Sequence, residues 1–225
     1  MKSIDHPGDS VAQVSVRLKF RRFVGSCVRS WRKYLNEVAT VGPDDDYAKE
    51  FHYFGRRAAL MAPQGVIYNE RYLSIGDETL IGPNVALTAG INGDQAMLAT
   101  PTVLIGRRCV IGRGSHIIGH WSIELGDEIQ TGPYVYITDQ NHSYEAINEP
   151  VGWQQPTEAA VKIGSGSWLG ANVVILPGTT LGKNTTVAAG AVVRGTFPDH
   201  VVLGGVPAKV LRHYSPSEGW VAGPA

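Results

Sequence analysis

The chain has 225 residues, and its 20 Lys and Arg balance 20 Asp and Glu, so the formal net charge is zero. A neutral chain has no overall field to attract nucleic acid, and neither a basic recognition-helix pattern nor a zinc-finger spacing is present. No run of about 18 apolar residues is available to span a bilayer, and the two cysteines, Cys27 and Cys109, form no framework pattern and read as reduced cytoplasmic thiols.

In chain order, residues 1–12 read as disordered, and the first 15 residues, with their acids and without an apolar core, do not read as a secretory signal. Residues 13–38 interleave Val16, Leu18, Phe20, Phe23, Val24, Val28, Trp31, Tyr34 and Leu35 with Arg17, Lys19, Arg21, Arg22, Arg29, Arg32 and Lys33, at helical spacing from Phe20 onward. Two roles compete for such a basic amphipathic helix. It packs on the end of the domain as a cap over an open strand edge, or it makes peripheral contact with an anionic membrane at the inner face. Residues 41–46 read as a turn and residues 47–61 as a second helix.

From residue 75 an aliphatic residue recurs every sixth position, usually followed by glycine: Ile75-Gly76, Ile81-Gly82, Ile105-Gly106, Ile111-Gly112, Leu125-Gly126, Ile163-Gly164, Leu169-Gly170 and Leu181-Gly182. Leu87, Ile117, Ile137, Ile175, Val187 and Val193 keep the aliphatic part alone, and Thr131 is a polar residue at such a site. Two glycine hexads followed by one without glycine make a period of about 18 residues, which reads as a triangular coil with one short strand per side. The coils fall at roughly 75–92, 105–122, 125–142, 163–180 and 181–198. At about 4.8 Å per parallel neighbour, five coils make a column on the order of 25 Å tall. Each lone aliphatic side chain stacks inside on its copy one coil away. Glycine is expected to let the backbone turn at the corners, and small or β-branched residues four positions after the aliphatic one (Thr79, Val85, Cys109, Ser115 and their equivalents) fill the corners from inside.

Two insertions interrupt the hexads, at 93–102 and at 143–162, and loops of the second length inside a compact domain are often functional. The longer one, stiffened by Pro150 and Pro156 and carrying Trp153, follows the motif Ile-Thr-Asp-Gln-Asn-His at 137–142. His142 ends the third hexad of its coil at an outward corner. With an unperturbed pKa near 6.5, a histidine at the lip of a long loop suits a general base.

This motif, with VKIGSGSWLGANVVILPGTTLG at 161–182, VAAGAVV at 187–193 and GVPAKVLR at 205–212, resembles the hexapeptide-repeat acyltransferases over residues 70–212. The wording is most similar to the maltose and galactoside O-acetyltransferases and the polysaccharide-modifying O-acetyltransferases. The resemblance implies an all-β fold, a left-handed parallel β-helix of about five coils. Residues 1–68 are then an N-terminal extension with a helical cap, residues 69–204 the β-helix, and residues 205–225 a C-terminal segment with a short helix. It implies acetyl-CoA as acyl donor, no metal, and a sugar, polysaccharide-precursor or glycolipid hydroxyl as acceptor, with His142 as the catalytic base. Asp139 and Asn141 would orient the imidazole or bind the acceptor, their alternative role being turn capping, and His120, one coil earlier on the same side, would contact the acceptor. By position, Trp168, Ala171, Ala189, Arg194, Gly195, Lys209 and Arg212 would form the coenzyme groove, although Arg194-Gly195 stands where some relatives have Thr-Lys. The family also implies a homotrimer with active sites between subunits. Competing readings are an amino-sugar or xenobiotic acceptor, a zinc enzyme using His116, His120 and His142, and a non-catalytic β-helix scaffold.

Overall fold

The structure, a computed structural model, describes residues 11–90 and 100–223, the side chains of 11–15 excepted. Most of the 93–102 insertion and nearly all of the 1–12 segment lie outside the described residues. Contacts divide the chain into two units between residues 39 and 40. In the first, one α-helix of 29 residues runs from Val11 to Ala39.

In the second unit the hexads become three parallel sheets that form the faces of a β-helix. The first face stacks Tyr53–Phe54, Leu73–Ile75, Val103–Ile105, Ile123–Leu125, Val161–Ile163, Thr180–Leu181 and Thr196–Phe197. The second stacks Ala59–Leu60, Leu80–Ile81, Val110–Ile111, Gln130–Thr131, Trp168–Leu169, Thr186–Val187 and Val201–Gly205. The third stacks Ile67–Tyr68, Ala86–Ala89, His116–Gly119, Tyr136–Thr138, Val174–Ile175 and Val192–Val193. Register follows the repeat: Ile75, Ile105, Leu125, Ile163 and Leu181 lie in line on the first face. Leu87, Ile117, Ile137, Ile175 and Val193 do the same on the third. All ten are 0–2% exposed, so these two rows are dry columns of aliphatic side chains.

The strands extend beyond both expected limits. Residues 47–61 are not a helix: a single 3-10 turn, Tyr47–Glu50, leads into Tyr53–Phe54 and Ala59–Leu60, which with Ile67–Tyr68 complete an earlier coil. Phe54 stands in register with Ile75, but it is aromatic where the hexads are aliphatic and lies 21 residues earlier, out of their six-residue phase, which hides it from a search for the repeat. The expected C-terminal helix is also absent. Ala208–Ser215 is a strand running antiparallel to Val201–Gly205, and Gly219–Ala222 pairs with it in turn. The last coil would otherwise present a row of unpaired N–H and C=O groups, and only a strand pairs with such an edge.

The hexad glycines serve a different purpose from the one expected. At the first and second corners the left-handed residue lies three positions after the aliphatic one and is often not glycine: Glu78, Asn84, Arg108, Glu128, Tyr134, Asn172 and Asn184 all have positive φ. Gly76 instead faces the next coil at close range, where a Cβ would sit 2.5 Å from the carbonyl carbon and oxygen of Gly106. The residue after the aliphatic one is glycine because two backbones meet there.

Inside the corners, hydroxyls replace apolar packing with hydrogen bonds. Thr79, Ser115, Ser167, Thr179 and Thr185 are 0–1% exposed. Thr79 Oγ1 donates to the Gly106 carbonyl at 2.7 Å, and Ser167 Oγ donates to the Gly164 carbonyl at 2.7 Å. Thr131 is tolerated at an aliphatic site because its Oγ1 accepts the Gly112 N–H at 2.8 Å.

Outside the corner between the first and second faces, four successive coils carry Arg56-Arg57, Asp77-Glu78, Arg107-Arg108 and Asp127-Glu128. Stacking turns this alternation into a ladder of ion pairs, Arg56–Asp77 at 2.9 Å and Arg107–Asp127 at 2.8 Å, with Arg57–Glu78 and Arg108–Glu128 beside them. The Asp77 carboxyl is held down to about 2 by the Tyr53 hydroxyl first and by Arg56 second.

Two outcomes follow from this packing. Gly76→Ala forces adjacent coils apart and lowers unfolding stability by about 1–3 kcal/mol, measured by thermal or urea denaturation. Because the folded pKa of Asp77 lies below its ordinary 3.8, its contribution is present above that value and is lost as pH falls toward about 2. The difference in melting temperature between the wild-type chain and Asp77→Asn therefore shrinks as the pH of the melt is lowered through that window.

Candidate active site

The third corner, where the coil leaves the third face for the first, is the corner whose aliphatic residues are not followed directly by glycine, and the site forms there. Strands Tyr136–Thr138 and Val174–Ile175 supply its floor. Residue 139 turns the chain outward, and Gln140–Asn141 pairs antiparallel with Thr157–Glu158, with Gln140 opposite Glu158 and Asn141 opposite Thr157. The insertion is thus a hairpin closed at its base. Gln154, 8% exposed, holds the hairpin's shape: its Nε2 donates to the carbonyls of Ala146 (3.0 Å) and Glu149 (2.9 Å), and its Oε1 accepts the Ala146 N–H at 3.0 Å.

Between this hairpin and the coil lies a cavity of about 400 Å³, lined by His120, Tyr136, Thr138, Gln140, Asn141, His142, Gly152, Gln154, Gln155, Pro156 and Leu176. Three of the sequence-expected residues, His120, Asn141 and His142, therefore share one cavity. The His142 backbone N–H donates to Asn141 Oδ1 at 3.1 Å. His120 Nδ1 is in contact with the Glu158 carboxylate. A carboxylate there favours the proton on Nδ1 and leaves Nε2 as the ring nitrogen open to a ligand. The Gln140 side-chain oxygen is buried without a hydrogen-bond partner, an acceptor that a ligand hydroxyl would satisfy.

Asp139 takes a different place from these. It is fully buried, does not line the cavity, and accepts three backbone N–H groups: His120 (2.8 Å), Trp121 (2.8 Å) and Ser122 (2.7 Å). Burial pushes its carboxyl above the usual carboxylate range while the three donors pull the other way. Of its two expected roles the geometry is that of turn capping, and the turn it caps is the one that carries His120.

The expected coenzyme residues lie elsewhere. Trp168 is half exposed on the second face. Ala171 and Ala189 stack at the corner between the second and third faces, where the Gly190 N–H donates to the Ala171 carbonyl at 2.9 Å. Lys209 and Arg212 are exposed on the antiparallel strand Ala208–Ser215, opposite Gly204 and Val202. Arg194 and Gly195 follow Val192–Val193 at the third corner, on the same edge as the cavity. None of these seven lines the cavity of the single chain. His116, His120 and His142 do not gather into a group able to hold a metal ion, and among the described residues no three His, Cys, Asp or Glu do so. Gln140, Gln154 and Glu158 carry no signal in the hexad pattern, because they reach the site only when the insertion folds back.

Comparison with known proteins agrees with the repeat. Residues 160–195 match the bacterial transferase hexapeptide family (six repeats), and residues 102–138 match the hexapeptide repeat of succinyl-transferase. A putative acetyltransferase of Schizosaccharomyces pombe is 32% identical over 187 residues, covering 82% of this chain and 77% of that protein. The chain belongs to the hexapeptide-repeat acetyltransferase family. Another member, the putative lipopolysaccharide biosynthesis O-acetyl transferase WbbJ of Escherichia coli, is 37% identical over 107 residues, covering 44% of this chain and 55% of that protein. Two of the bacterial relatives are spanned over only 36% and 55% of their own length. The N-acyltransferase AntD of Bacillus cereus, solved with dTDP and 3-hydroxybutyryl-CoA, shares the fold at TM-score 0.66 and 17% identity, over 80% of this chain and 92% of that one. Hexapeptide-repeat membership and these folds imply the left-handed sense of the coil.

Asp139→Ala strands three backbone donors in a buried corner and is expected to lower stability by about 3 kcal/mol or more, read as a shift of the urea unfolding midpoint.

Proposed function

We propose that the chain transfers an acetyl group from acetyl-CoA to a hydroxyl of a sugar, polysaccharide precursor or glycolipid, with His142 as general base. The observation that carries this reading is His142 on the wall of a roomy cavity, at the mouth of the hairpin, in a member of an acetyltransferase family. The acceptor class is supported by the similarity to an O-acetyl transferase of lipopolysaccharide biosynthesis and by the acceptor character of the cavity. The Gln140 oxygen lacks a partner and His120 offers Nε2, so a ligand bringing several hydroxyl donors fits.

In this reaction the acceptor oxygen attacks the thioester carbon while its proton passes to a ring nitrogen of His142. The tetrahedral oxyanion collapses, the carbon–sulfur bond breaks, and the proton passes from His142 to the departing thiolate. No acyl-enzyme forms, and much of the acceleration comes from alignment of the two substrates and from backbone N–H groups facing the oxyanion. Asn141 and His120 position the acceptor, and Asp139 positions His120 by capping its turn.

The coenzyme groove is assigned to Trp168, Ala171, Ala189, Arg194, Gly195, Lys209 and Arg212, the last two facing the CoA phosphates. Within one chain the third face separates Ala171 and Ala189 from His142. A homotrimer, in which one protomer's second face meets its partner's cavity, completes the site, and a cytoplasmic location suits the donor.

Calorimetry with acetyl-CoA and turnover on a panel of sugar acceptors test the two halves separately. Binding near one site per chain, weakened by Lys209→Ala, is expected. His142→Ala is expected to keep that binding and to lose about 10²–10⁴-fold in turnover. Full turnover in His142→Ala overturns the base assignment, and no binding at millimolar coenzyme overturns the donor.

A further inference from the structure

Overall neutrality conceals a segregated charge. The helix Val11–Ala39 holds seven Lys and Arg (Arg17, Lys19, Arg21, Arg22, Arg29, Arg32, Lys33) against one acid, Glu37. At 100° per residue, Phe20, Phe23, Val24, Val28, Trp31 and Leu35 fall within an arc of about 140°. Arg22, Arg29, Arg32 and Lys33 fall on the opposite side, with Leu18 the apolar exception among them, while Arg17 near the start of the helix falls within the apolar arc. The six apolar side chains are 41–68% exposed and share one side of the helix. Trp31 and Tyr34 stack with ring centroids 5.6 Å apart, two amphipathic aromatics side by side.

We infer that this helix is a docking surface for an anionic lipid bilayer, lying in the interface with the Phe20–Trp31 stripe inserted and the cations level with the headgroups. Charge decides between occupants. A second copy of the helix would bring identical cationic flanks together, with Arg21 at one border of the apolar arc and Lys19 at the other, and Glu37 as the single acid to answer them. An anionic surface answers every cation at once, and an apolar face with aromatic residues opposite an Arg- and Lys-rich face is the arrangement that interfacial helices adopt. Among the described residues no helix is long and apolar enough to cross a membrane, so the helix lies on the surface. The inference stands independently of acetyl transfer and of His142.

The test is co-sedimentation of the full chain with vesicles of phosphatidylcholine alone and of phosphatidylcholine mixed with phosphatidylglycerol. The expected result is at least about tenfold stronger partition to the anionic vesicles, reversed by high salt. Phe23→Asp/Trp31→Asp and Arg29→Glu/Arg32→Glu each abolish partition while thermal unfolding and the mass by light scattering stay unchanged. Equal or absent partition to the two vesicle types overturns the inference. So does a smaller assembly mass in Phe23→Asp/Trp31→Asp, which makes the stripe a contact between copies. A lower melting temperature of that variant without vesicle binding also overturns it, by making the stripe a cap on the coil.

Discussion

Successive coils approach each other at the ordinary spacing of parallel strands, about 4.8 Å, and this approach is hardest to achieve at the corners, where backbone meets backbone with no pleat to separate it. Everything regular in the chain follows from that constraint. A glycine stands where a Cβ would meet the next carbonyl, as at Gly76 against Gly106. One aliphatic residue per side fills a triangle too narrow for two. Small hydroxyl residues occupy the inner corners because a carbonyl turned inward there needs a donor, and Thr79 and Ser167 supply one.

The third corner escapes the constraint, since no glycine directly follows its aliphatic residues and the chain leaves the coil there. Its freedom allows the 143–156 excursion to fold over the coil and enclose a cavity. The rigidity of the neighbouring coils then does the positioning. Asp139 gives up contact with the cavity to clamp three N–H groups beneath it, so His120 stands on a fixed turn while His142 stands at the start of the hairpin. A reaction that needs two substrates aligned to within a fraction of an ångström is well served by a wall of stacked strands that barely deform.

Charge follows the same logic of stacking. Arg-Arg and acid-acid pairs are spaced by one coil in sequence, so the column converts what would be like-charge neighbours along the chain into opposite-charge neighbours across it. Such exposed pairs contribute little singly, but they make wrong registers costly, because a slip by one coil sets Arg56 beside Arg107.

The hexad period, the inward columns from Ile75 to Val193, the buried corner positions and the outward place of His142 were all legible in the residues, because a repeat makes each local choice identical and the contacts nearest neighbours in space. The extra coil through Phe54 was masked by an aromatic residue in an aliphatic slot. The C-terminal strand was misread as a helix because edge pairing is a demand of the finished coil and not of the segment's own pattern. The purpose of the glycines was likewise invisible until the facing backbone was in place. Gln140, Gln154 and Glu158 belong to the site only through the return of a non-repeating hairpin, whose path depends on hydrogen bonds between residues with no periodic relation. Sequence by itself determined the coil and the family, since both rest on short-range repetition. Tertiary structure alone decided which polar groups meet in the cavity, since those contacts are long-range and each occurs once.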